Sequence, residues 1–236
     1  MVAATDEVIE LVGRAIEVAP SVDRKGAEPF ARTVASAIRE RRPGTPAGVG
    51  LAIARCWPLH PVVASLLGPI SRRRFSQNER STFGFLASRE SLGFMEYLDG
   101  HPVHWTSMYS PARYWDYLRA NLEPAILASP DGHRWAVASE AVERAEAKGA
   151  VLHIELAKCV ALIELFRSGS GLVPEPAVLK VCVQGSSPAE VEHALSDLVS
   201  WKILIERRHL GAYGVFAGSD FDIEGAIKPD DAHFAK

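Results

Sequence analysis

Cysteine is scarce in this 236-residue chain: Cys56, Cys159 and Cys182 stand far apart, and no CxxC pair occurs. That spacing excludes a disulfide framework and a thiolate metal site, so buried free thiols are the simpler expectation. Long apolar runs are missing as well. The most apolar stretch, residues 150–166, is interrupted by His153, Glu155, Lys158 and Glu164, which argues against a membrane span. Nor is there an excess of one charge: 26 Lys and Arg stand against 29 Asp and Glu, a formal net charge of -3, so no overall positive field gathers nucleic acid or anionic lipid. Asp6, Glu7 and Glu10 near the start are unlike the basic opening and apolar core of a signal peptide. Together these absences predict a cytoplasmic protein without membrane attachment.

The strings that carry self-contained chemistry are also lacking. Nucleotide hydrolysis needs a glycine-rich loop whose amides cradle phosphates, then a lysine and a magnesium-binding hydroxyl, and no GxxxxGK[ST] or GxGxxG occurs. Gly169-Ser170-Gly171 resembles a hydrolase elbow only superficially, because it falls in a predicted turn between helices and not after a strand. The eight histidines include no HxH or HxxxH pair that would converge on zinc. The chain alone is therefore expected to be no enzyme, with no catalytic residue, no metal site and no cofactor of its own.

What is present is helical periodicity. Residues 6–19 space Val8, Ile9, Val12 and Ile16 as one face of a helix closed by Pro20, and a second helix runs from about Lys25 to Arg41. Residues 43–50, with two prolines and three glycines, read as a loop. Further helices are predicted from Pro61 to Ile70, after a Ser76/Glu79 capping box, over Ser88 to Leu98, and from an Ser110-Pro111 start, where Pro124 should bend or end the helix. Another covers about His133 to Lys148.

After Gly149 the pattern changes. A long apolar helix over Val151 to Phe166 is broken by Gly169-Ser170-Gly171, and a short helix follows over Pro176 to Val183. Ser187-Pro188-Ala189-Glu190 marks a third helix strongly, since it joins an N-cap, a first-position proline and a capping-box glutamate. Ile203–Arg208 and Ala212–Ala217 read as two strands around a Gly211 hairpin. Three helices and a hairpin predict a winged helix. The fold expected is mainly α: a helical bundle over 1–148, a winged-helix domain with a C-terminal β-hairpin over 149–224, and a tail over 225–236.

Two charged groups stand out. Arg72, Arg73, Arg74, Arg80 and Arg89 could gather a phosphate near a helix start, although hydrated helix-capping arginines are the simpler reading. On the third predicted helix the outward face would show Glu190, Glu192, His193, Ser196, Asp197 and Ser200, and carboxylates there repel a DNA backbone. Lys202, Arg207 and Arg208, with His209, could touch phosphates through the wing. Protein contact is favoured over sequence-specific DNA binding. The acidic string 218–224 reads as an exit turn rather than a cation site.

Several strings point to a family. Trp57-Pro58-Leu59-His60-Pro61, then Arg74-Phe75-Ser76-Gln77-Asn78-Glu79-Arg80-Ser81 and Phe83-Gly84-Phe85-Leu86-Ala87-Ser88, resemble the YPLHP … RFxQNERSLFSFLAS signature of large bacterial P-loop ATPases of the STAND and AAA type. Tyr114-Trp115-Asp116-Tyr117-Leu118, Ser129-Pro130-Asp131-Gly132-His133-Arg134-Trp135 and Gly218-Ser219-Asp220-Phe221-Asp222 follow in family order. The resemblance implies the helical lid and winged helix that follow a nucleotide-binding core. It would put Pro58 and His60 near the base or phosphates, and make Arg80 the reporter of the terminal phosphate. The P-loop core itself has no counterpart here, so the resemblance implies a regulatory segment. ATP would bind only in a composite site, and the expected partner is a P-loop ATPase domain or another protein. The alternative is a small winged-helix DNA-binding regulator.

Overall fold

A computed structural model describes residues 5–19, 22, 25–73, 82–101, 104 and 106–218. Among them are eleven α-helices and one β-hairpin. In the N-terminal half these are α1 (Thr5–Ala15), α2 (Glu28–Arg41), α3 (Val49–Arg55), α4 (Pro61–Ser71), α5 (Thr82–Ala87), α6 (Phe94–Gly100), α7 (Pro111–Leu127) and α8 (Gly132–Lys148). Then come α9 (Val151–Phe166), α10 (Pro176–Cys182), α11 (Pro188–Ser200), β1 (Leu204–Arg207) and β2 (Ala212–Val215). The mainly helical expectation and the terminal hairpin are both observed. The Ser76/Glu79 capping box, Arg74, Arg80 and the chain beyond Gly218 lie outside the described residues.

Helix starts follow the local chemistry. The Ser110 hydroxyl accepts from the Arg113 amide at 3.1 Å ahead of Pro111. At α11 the Ser187 hydroxyl accepts from Glu190 N at 3.3 Å, while Ser187 N donates to the Glu190 carboxylate at 2.7 Å, the full reciprocal box. In the hairpin Leu204 pairs with Val215 and Arg207 with Ala212. Gly211 makes the turn at φ +58°, a left-handed conformation that costs a side-chain-bearing residue about 1–2 kcal/mol.

Two local expectations need correction, and the one at Pro124, a bend or an end, is narrowed. Helix α3 occupies the end of the loop predicted over residues 43–50 and continues to Arg55, because Val49 and Ile53 find buried positions against the core. Pro124 does not end α7: the helix runs on to Leu127, where Ile126 is fully buried and the Pro124 carbonyl still accepts from Ala128 N at 3.2 Å. Residues 88–93 are not helical, and α6 begins only at Phe94. Side chains take up that backbone instead. The Glu96 carboxylate accepts from Leu92 N, Tyr109 OH donates to Leu92 O at 2.7 Å, and Leu92 sits at φ +64°.

Helix α9 is the spine. Its Leu156, Val160, Ile163 and Phe166 are buried in one core that runs without a break from Ile9 of α1 to Val215 of β2. Lys158, projecting from α9, reaches Asp116 of α7 at 2.8 Å and Glu146 of α8 at 3.6 Å. Gly149 and Ala150 separate α8 from α9, but the core does not divide there.

Candidate functional site

The WPLHP string lies in the interior. Trp57-Pro58 is a cis peptide, and both residues are buried. The Pro58 carbonyl accepts from Tyr109 N at 2.8 Å, and His60 N donates to Tyr109 O at 3.1 Å, so this string runs parallel to the chain leading into α7. His60 is 1 % exposed. Its Nδ1 accepts from Val62 N at 3.2 Å and caps α4, which leaves Nε2 as the donor to the Val181 carbonyl of α10 at 2.8 Å. Burial drives its pKa down to about 4, partly opposed by the Val181 bond, so the ring is neutral at physiological pH. Pro58 and His60 are thus brought together, but both polar edges of the imidazole are engaged inside the chain.

The strings that carry the family resemblance are packing partners. Phe85 meets Tyr114 at 4.9 Å and Tyr117 at 5.0 Å between ring centroids, both edge-on. Trp115 of the same helix stacks on Trp135 at 4.5 Å with their planes 15° apart, and Trp135 donates to Glu123 at 2.8 Å. Such pairs contribute about 0.5–1.5 kcal/mol each beyond their area burial. Gly132 belongs to the same framework, since a Cβ there would collide with the Leu127 backbone.

The arginine group does not converge among the described residues. Arg72 bonds back to Gly68 O at 3.2 Å, Arg73 pairs with Asp131 and lies over the Phe166 ring, and Arg89 pairs with Asp99 at 2.9 Å on the surface.

The hairpin divides in the same way. Arg207 crosses Gly214, whose missing Cβ leaves room for the guanidinium, and meets Glu164 of α9 at 2.5 Å. The other Glu164 oxygen accepts from Val215 N at 2.7 Å, so one half-buried carboxylate locks both strands to α9. Arg207 is therefore turned inward. Lys202, Arg208 and His209 remain exposed, with Arg208 3.9 Å from Glu206. On α11 Glu190, Glu192, His193, Ser196 and Ser200 are exposed, and Asp197 is half-buried beside His153 at 3.2 Å. Lys180 of α10 holds Glu192 at 2.6 Å.

Spacing did not reveal that Cys159 of α9 and Cys182 of α10 would meet. All three cysteines are buried and free. Contact with Cys182 and burial keep the Cys159 thiol neutral, and burial pushes Cys56 up to about 12. Sequence reasoning also missed Glu164, because nothing in its helix signals a partner 51 residues away. Among the described residues no group of three or more His, Cys, Asp or Glu could hold a metal ion, and no helix is long and apolar enough to cross a membrane. Comparison of the chain with protein-family models, with curated proteins and with solved structures gives no match.

Proposed function

We propose that this chain is a non-catalytic regulatory module, built like the lid and winged helix of a P-loop ATPase, that acts through protein contacts. The observation that carries this reading is the packing of the resembling strings: Phe85 of α5 meets Tyr114 and Tyr117 of α7, and Trp115 of α7 stacks on Trp135 of α8. A pattern shared along a chain is more informative when its members build one framework. The order α9, α10, α11, β1, β2 supports the winged-helix part. Any ATP would be held in a composite site whose phosphate cradle comes from a partner, with Arg80 as the sensing candidate.

Binding by Pro58 and His60 in such a site would act through the position of α4, since the ring nitrogens already serve the fold. The face of α11 favours a protein partner over DNA. Its exposed carboxylates oppose phosphate, and Arg207 is committed to Glu164. Lys202 and Arg208 are left for the DNA-regulator alternative.

The test is titration of Mg-ATP against the chain alone and against the chain mixed with a P-loop ATPase domain. Binding confined to the mixture, and weakened by Arg80→Ala, is the expected result. No complex and unchanged ATPase turnover would sink the proposal. Duplex DNA binding that falls steeply with salt would install the alternative.

A further inference from the structure

A half-open cavity of about 170 Å3 lies between α8, α9 and β2. Its walls are apolar, from Val137, Ala138, Ala161, Leu165, Val215 and Ala217. Four polar side chains ring it: His133, Arg134, Glu164 and Arg207. An apolar cavity of about 150 Å3 suffices to take up benzene, so this one holds a single ring with a small substituent.

The charge at the rim selects among such ligands. Glu164 is satisfied by Arg207 and by Val215 N. Asp131 is shared between Arg73 and Arg134, with the Arg134 contact the looser at 3.4 Å. Arg73, Arg134 and Arg207 thus stand against two carboxylates, and the surplus cation is Arg134. Its Nη2 donates to the Glu164 carbonyl at 2.8 Å and its Nη1 to Asp131 at 3.4 Å, which tethers the guanidinium to α9 beside the cavity that Arg134 lines. We propose that this cavity binds a small monoanion with a ring-sized apolar body, an aromatic carboxylic acid, with its ring on Ala161 and Val137 and its carboxylate on Arg134. Such a ligand touches α8, α9 and β2 together and braces the hairpin against the helical spine. This holds whether or not the chain serves a P-loop ATPase.

Benzoate, benzyl alcohol and benzylamine are titrated against the full chain by calorimetry and by thermal unfolding. Benzoate should bind saturably and raise Tm, benzyl alcohol should bind more weakly, and benzylamine should not bind. Arg134→Gln should weaken benzoate roughly tenfold, the scale of one charge-assisted hydrogen bond, and leave benzyl alcohol unchanged. Val137→Phe should abolish both; should it misfold, Arg134→Gln still decides. The proposal is overturned if benzoate does not saturate, if benzylamine binds equally, or if Arg134→Gln binds like the parent. It is also overturned if benzoate binds only after residues 219–236 are removed, since the occupant would then be the chain's own end.

Discussion

The hub around His60 and the hairpin around Arg207 and Arg208 treat polar residues in opposite ways. At the hub every polar edge is used inside: His60 caps α4 with one nitrogen and holds α10 with the other, and the Pro58 carbonyl is taken by Tyr109. In the hairpin two neighbouring arginines split, Arg207 turned in to Glu164 and Arg208 left out in water. Residue type nominates a group for binding, but the neighbours that satisfy it decide whether it is available. Substitutions that remove an interior partner should therefore cost far more than those that remove an outward cation.

The largest effect is expected at the hub. His60→Ala removes the cap of α4 and leaves the Val181 carbonyl unpaired in the interior, a loss of roughly 3–4 kcal/mol when cap, bond and cavity are combined. Chemical denaturation should show the midpoint falling accordingly. Acidification probes the same group. Its folded pKa of about 4 lies below the ordinary histidine value of 6.5, so between those values the unfolded chain binds the proton and the folded chain does not. His60 therefore contributes stability in full above pH 6.5 and loses it as pH falls toward 4, by roughly 3 kcal/mol in all. That slope should vanish in His60→Asn. A slope unchanged by the substitution would place the titrating group elsewhere.

Glu164→Ala comes next. It strands the Arg207 guanidinium and the Val215 amide together, and breaking a half-buried pair from one side costs about 3 kcal/mol. Hydrogen exchange should speed up at Val215 before the amides of α9 respond. Replacing both partners, Glu164→Gln with Arg207→Leu, should cost less than Glu164→Ala, because no charge is then left unpaired.

Much of this architecture was legible in the chain. The caps at Ser110 and Ser187, the glycine turn at Gly211 and the long apolar helix α9 follow from local chemistry, so the sequence reading and the structure agree there. Disagreements arise where a distant partner decides. Residues 88–93 stay out of a helix because Tyr109, 17 residues from Leu92, bonds its carbonyl. Helix α7 survives Pro124 because Ile126 has a place in the core. The sites follow the same division. Lys202 and Arg208 stay exposed as their surface character suggests, whereas Glu164 and the meeting of Cys159 with Cys182 depend on how α9 packs.

Lys202 offers a smaller and opposite effect. It holds φ +56° just after α11, where a side chain is disfavoured. Lys202→Gly should therefore raise stability by roughly 0.5–1 kcal/mol once the added freedom of the unfolded glycine is subtracted. A lower unfolding midpoint would mean that the lysine stem contributes packing worth more than the relieved backbone.

The least effect on stability is expected at Arg208. Its side chain is 88 % exposed and its contact with Glu206 is 3.9 Å, so Arg208→Ala should leave the unfolding midpoint unchanged within about 0.5 kcal/mol. The same substitution distinguishes the two readings of the hairpin. If the hairpin touches only protein, DNA affinity is negligible at low salt before and after the change. If it carries DNA phosphate, removing Arg208 lowers the slope of log affinity against log salt by about one, and removing Lys202 lowers it by a further similar step. Arg207→Ala would then be the control, because a guanidinium held by Glu164 should leave that slope where it was while loosening the hairpin.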